Sequence, residues 1–185
     1  MRSTRGSEVV KSLPLVVTAL LIALGSESLS AQEPDPYLVG GDRFGRWTLG
    51  MPDEDLVRAF RDLYGGRYRA EATASLSGGR FFFWDNAGLN ITSFQGKVVG
   101  ISAWRRRTAA DVELMKYRTK EDIRIGEPLP KAIAAYSAPD RQWLSRATSG
   151  NTGVVWLRLG LFLEARGNVI DVIGIFDPRL PWIWP

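Results

Sequence analysis

The sequence predicts an α+β fold of two tandem modules, each an amphipathic helix packed on an antiparallel β-meander, with strands of both halves able to share one sheet. Three matched blocks in the same order carry this prediction. Residues 47–60 align without a gap on residues 123–136, residues 82–89 match 154–161 in their Trp and Gly-Leu, and Gln95-Gly-Lys-Val98 matches Arg166-Gly-Asn-Val169. Within each module the apolar period is helical first and strand-like afterwards.

The elements follow in chain order. Residues 1–30 read as an export signal: Arg2, Arg5 and Lys11 precede an apolar run over 13–24, and Ser28 and Ser30 are small residues before a cut. The run is shorter than the roughly 20 apolar residues of a spanning helix. Residues 31–42 are a polar spacer containing Pro34 and Pro36. The first module covers 43–107, a connector 108–118, and the second module 119–185. Pro52 opens the first helix with Asp53, Glu54 and Asp55 at its positive end. Leu56, Phe60 and Leu63 form its apolar stripe, and Gly65-Gly66 ends it. Leu129, Ile133 and Tyr136 repeat that stripe in the second module. Strands are expected over 81–84, 89–94 and 97–104, and again over 154–159, 161–165 and 169–176, with hairpin turns at Gln95-Gly96 and 166–168. The stretches 65–79 and 137–153 read as loops or as partly strand.

The run 119–126, the helix ending in Ala135-Tyr136, Gly160-Leu161 and Gly167-Asn168-Val169 resemble the repeats of the β-lactamase-inhibitor proteins and of the SmpA/OmlA outer-membrane assembly lipoproteins. The resemblance implies an exported bacterial protein whose modules bind other proteins and hold no catalytic centre. The lipobox cysteine and the inhibitor's paired cysteines are absent here, so the resemblance implies fold and broad role, and names no partner.

Composition narrows the chemistry. The chain has no Cys and no His, which removes cysteine nucleophiles, Ser-His-Asp arrangements and most zinc sites. No metal and no cofactor are expected. Lys and Arg number 24 against 20 Asp and Glu, a net charge of +4. That is too small and too scattered for a nucleic-acid binder. An exported domain without disulfides fits a periplasmic or secreted bacterial protein.

Strand parity then supplies candidate binding residues. Arg158 taken as outward turns Trp156 outward with it, Phe162 and Glu164 follow on the next strand, and Asp171 marks the outer face of the last. Carried to the first module, the same parity turns Phe82, Trp84, Thr92, Phe94 and Trp104 outward. The expected partner-binding set is therefore Phe82, Trp84, Thr92, Trp104, Arg105, Trp156, Arg158, Phe162, Glu164 and Asp171. An aromatic face of this kind suits a protein or peptide partner. One alternative is an envelope protein that places Arg105, Arg106 and Arg107 on an anionic membrane surface. Another is a hydrolase using two of Asp85, Asp111, Glu113, Glu164 and Asp171 as acid and base. The C-terminal run 180–185, with Trp182 and Trp184, is expected to pack back on the body.

Overall fold

Three short strands precede the first helix and one precedes the second. The computed structural model describes residues 36–72, 78–105, 117–144 and 150–180. Strands β1 (Tyr37–Val39), β2 (Arg43–Phe44) and β3 (Trp47–Thr48) form successive antiparallel pairs. Helix α1 (Asp53–Tyr64) follows. Pro52, at φ −56°, stands as its cap residue, and Asp53, Glu54 and Asp55 fill the first turn, where carboxylates offset the positive end of the helix dipole. Leu56 and Phe60 are its buried apolar stripe. Gly65, at φ 90°, ends it and donates its N–H to the Arg61 carbonyl. Four strands come next: β4 (Arg69–Ala72), β5 (Gly79–Trp84), β6 (Leu89–Phe94) and β7 (Lys97–Trp104).

The second half has one short strand, a helix and four strands. Strand β8 (Arg118–Thr119) pairs parallel with β1 and completes the small sheet. Helix α2 (Leu129–Tyr136) follows Pro128 and is four residues shorter than α1, which has 12 against its 8. Then come β9 (Arg141–Leu144), β10 (Asn151–Trp156), β11 (Leu161–Arg166) and β12 (Val169–Phe176). The eight strands β4–β7 and β9–β12 make one antiparallel sheet in the order β4-β5-β6-β7-β12-β11-β10-β9. Its middle pair is β7 and β12, with Ser102 opposite Gly174. The molecule is thus α+β and mostly sheet. The stretches expected as loops or as partly strand contain the edge strands β4 and β9, whose polar composition conceals them.

Hydrogen bonds outside the ladders correspond between the halves. Gly50 donates to Val98 O and Gly126 to Ile170 O, both at the turn before a helix. Asp53 donates to Gly96 O, and Leu129 to Asn168 O. Trp104 donates to Gly88 O, and Phe176 to Gly160 O. The hairpins correct the third sequence match by one residue. Phe94 pairs with Lys97 and Arg166 with Val169, so the turn residues are Gln95-Gly96 and Gly167-Asn168. All four have positive φ, at 51°, 71°, 55° and 70°. A two-residue hairpin turn of that kind requires positive φ at both positions, which favours Gly and Asn.

Both helices cover one face of the large sheet. On that face Phe82, Trp84, Leu89, Ile91 and Ile101 meet Leu56 and Phe60, while Val154, Trp156, Leu163 and Ile173 share the cluster with Leu129 and Ala132. Each fully buried large apolar side chain contributes about 1.5–3 kcal/mol. The Phe60 ring stands edge-on to Trp84 at 5.2 Å, and Tyr136 lies 5.3 Å from Trp156. Phe82, Trp84 and Trp156, expected outward, are therefore core residues, 3%, 0% and 3% exposed. The reason is local. β10 ends at Trp156, residues 157–160 turn, and Arg158 sits in that turn. A residue beyond the strand end carries no information about which face the strand presents.

Bulges disturb parity again. The register slips between Thr92 and Ser93 against β7, and between Glu164 and Ala165 against β12. Each slip inserts one residue, Val99 in β7 and Asp171 in β12, and reverses the alternation beyond it. Ile173 and Ile175 consequently point to the helix-covered core, although Asp171 two residues earlier was taken as an outer-face marker.

Candidate functional site

The face away from the helices carries a groove. Pairing sets its rows: Arg69, Phe83, Asn90, Ser102, Gly174 and Phe162 stand side by side across β4, β5, β6, β7, β12 and β11. A second row runs Phe81, Thr92, Gly100 and Phe176, and a third runs Trp104, Val172 and Glu164. Ser102 and Gly174 are the smallest side chains of the first row, so the rings on either side rise above them. The resulting hollow is about 430 Å³. Its walls are Phe81 and Phe83 on one side and Trp104 and Phe162 on the other, and Asn90, Thr92 and Ser102 form its floor.

Phe162 lies down over glycine. A Cβ at Gly174 would collide with the Phe162 ring, so that glycine lets the aromatic wall sit flat on the sheet. At the far edge the Trp143 ring covers Gly153 in the same way.

Charges occupy the rim. Arg69 Nε donates to Asp85 Oδ2 at 2.9 Å and its Nη1 to Glu71 Oε1 at 2.6 Å. The guanidinium also lies 4.8 Å over the Phe83 ring. The hydrogen bond it donates to Asp85, more than that carboxylate's charge, shifts the Arg69 pKa further upward. Asp85 also accepts from Arg69 Nη2 at 3.4 Å. Glu164 stands on the opposite side of the hollow.

The floor offers an amide from Asn90 and hydroxyls from Thr92 and Ser102, the last two residues being 1% and 2% exposed. Such groups can donate to or accept from a molecule bound in the hollow.

Of the residues expected to bind a partner, Thr92, Trp104, Phe162 and Glu164 line this groove together. Phe82, Trp84 and Trp156 lie on the opposite, helix-covered face. Arg105 is exposed beyond β7, its N–H donating to Asp171 O at 2.7 Å. Arg106, Arg107, Asp111, Glu113, Trp182 and Trp184 lie outside the described residues. Asp171, on the bulge, approaches Arg166 Nε at 3.7 Å. Arg158 lines a separate hollow of about 320 Å³ with Tyr136, Lys120 and Glu121. There the Tyr136 hydroxyl donates to the Glu121 carboxylate. Burial pushes the Glu121 carboxyl upward, but that bond and the other favourable contacts together hold it below its ordinary value.

Sequence reasoning missed Phe81, Phe83, Asn90 and Ser102. The Gln95-Gly96 turn fixes the β6–β7 register only as far as the Val99 bulge, beyond which Asn90 meets Ser102 instead of Ile101. Among the described residues no group of acidic side chains is placed to hold a metal ion, and no helix is long and apolar enough to cross a membrane.

No family model matches the chain, and no curated protein matches it. Among solved structures it is similar to an extracellular protein containing a SCP domain from Bacillus anthracis str. Ames, with a TM-score of 0.41 and 10% identity. The match covers 71% of this chain and 45% of that one. A likeness this distant supports no statement about family or activity.

Proposed function

We propose that this is an exported, non-enzymatic binding protein that grips a protein or peptide segment in the groove of the open sheet face. We further propose that its two halves are copies of one module, of the kind the sequence resembles. The groove carries the reading. Aromatic walls surround a floor of hydroxyl and amide groups from Asn90, Thr92 and Ser102. Apolar burial against Phe81, Phe83, Trp104 and Phe162 supplies affinity, and Arg69, Asp85 and Glu164 at the rim influence orientation and approach. The corresponding hydrogen bonds at the two helix-entry turns support the duplication. The apolar run over 13–24 supports export.

The test is capture of a partner from envelope and culture-medium extracts, at low and high salt, by the native protein and by Trp104→Ala. The binding reading expects a discrete partner retained at high salt and lost on Trp104→Ala, with the fold intact. Trp84→Ala serves as the contrast, since it opens a core cavity and costs about 3–5 kcal/mol of stability. Capture that vanishes at high salt and ignores Trp104 would move the activity to the exposed arginines.

A further inference from the structure

We propose that the groove is a recognition pocket for a tyrosyl side chain of the bound segment, read by the hydroxyl and amide groups of its floor. This rests on the binding reading above and specifies what enters the site.

Three observations converge on it. First, the walls are rings: Phe81 and Phe83 face Trp104 and Phe162 across the hollow. Aromatic side chains favour offset or edge-on contact with other rings, worth about 0.5–1.5 kcal/mol beyond area burial. Second, the floor is neutral. Asn90 and Ser102 are directly opposed on β6 and β7, with Thr92 two residues along β6. A charged group brought to this floor would meet no countercharge there and would lose its hydration, which is strongly unfavourable. Third, Thr92 and Ser102 are more than nine-tenths buried while lining the hollow. A group seated against their hydroxyls is shielded from bulk water and is best matched when it can both donate and accept.

A side chain that suits all three has an apolar planar body and a neutral tip with both capacities. The phenol of tyrosine has that form: its hydroxyl donates and accepts, and serine, threonine and asparagine can answer either way. Phenylalanine would fill the walls and offer the floor no hydrogen bond. A site built to hydrogen-bond a hydroxyl discriminates against the analogue that lacks it more strongly than an apolar pocket discriminates by size.

The experiment is an NMR titration of the 15N-labelled protein, purified from cells expressing the full sequence. The probes are acetyl-Gly-Gly-Tyr-Gly-Gly-amide, its Phe counterpart and methyl glucoside. The proposal expects the Tyr peptide to bind about three- to tenfold tighter than the Phe peptide, the range one net hydrogen bond provides. It should shift the Asn90 and Ser102 amides and the Trp104 indole. Ser102→Ala should bring the Tyr-to-Phe ratio close to one without disturbing the rest of the spectrum. Equal binding of the two peptides in the groove would overturn the tyrosyl inference and leave the binding reading standing. Absence of shifts from both peptides, with capture still dependent on Trp104, would do the same. Tighter binding of methyl glucoside at the same floor residues would overturn it in favour of a saccharide. Failure of the binding reading itself shows elsewhere, as capture indifferent to Trp104→Ala.

Discussion

The two halves of the sheet share a backbone plan and differ on one face. On the helix-covered side corresponding positions stay apolar: Trp84 and Trp156, Leu89 and Leu161, Ile91 and Leu163, Ile101 and Ile173. On the open side they diverge. Asn90, Thr92, Ser102 and Trp104 of the first half correspond in register to Phe162, Glu164, Gly174 and Phe176 of the second. Val155, Phe162, Val172 and Phe176 pack together there with Trp104, Trp143 and Leu157 against them, and Phe162 and Val172 of this cluster also line the groove. The first half keeps an amide and two hydroxyls where its counterpart has a ring, a carboxylate and glycine. Burial under a helix constrains both halves alike, whereas the open face leaves the two halves free to differ.

The largest expected effect separates the two halves directly. Phe176 is fully buried, so Phe176→Ala should cost about 3–5 kcal/mol in urea unfolding. Its counterpart Trp104 is only partly buried, and Trp104→Ala should cost well under half as much while abolishing capture. Equal losses would mean that Trp104 packs as tightly as Phe176.

Next comes the place where the second half meets the N-terminal strands. Gly160 has φ 59°, and a Cβ there would strike the Phe176 carbonyl and come within 2.7 Å of Gly41 Cα. Gly160→Ala should destabilise by roughly 2–4 kcal/mol. Gly96→Ala, at φ 71° with nothing within 4 Å, should cost only the left-handed backbone strain of about 1–2 kcal/mol. A similar midpoint shift for both would show that the Gly41 crossing contributes nothing.

Gly174→Ala addresses the groove itself. The added methyl must displace the Phe162 ring, an overpacking cost of about 1–3 kcal/mol, and should weaken partner capture by narrowing the hollow. Unchanged capture would remove Phe162 from the wall.

The smallest effect is electrostatic. Asp177 occupies the position that Arg105 holds in the first half. Hydrogen bonds from Arg179, foremost among its surroundings, hold the Asp177 carboxyl below its ordinary value. A lowered folded pKa stabilises above the unfolded value of about 3.9, and that contribution disappears as pH falls through the folded value. Asp177→Asn should therefore lower stability slightly at neutral pH and match the native protein in strong acid. A gap that persists at the acid end would assign the loss to packing.

Much of the fold is readable along the chain because its causes are local. Pro52 and Pro128 mark helix starts, the Leu56–Phe60 spacing marks a buried stripe, and Gln95-Gly96 marks a hairpin. The edge strands β4 and β9 were not readable. Residues such as Arg69 and Arg141 lie in strands only because β5 and β10 offer them a ladder. The groove was half readable: Thr92, Trp104, Phe162 and Glu164 were anticipated on the outer face, while Phe82, Trp84 and Trp156 were assigned to the wrong side. Alternation tells which residues share a face, and only an anchor inside the strand tells which face is covered. Arg158, lying in a turn, was no such anchor.

The sequence alone determined the α+β composition, the positions of both helices and the absence of histidine and cysteine chemistry, because each depends on residue type or short-range spacing. The tertiary structure decided which sheet face the helices cover, where bulges at Val99 and Asp171 reverse the alternation, and that Phe83, Ser102 and Phe162 stand in one row. Those outcomes depend on pairing in the large sheet between residues as much as 76 positions apart, as Gly100 and Phe176 are, and the energy that selects them comes from burial that no local segment can achieve by itself.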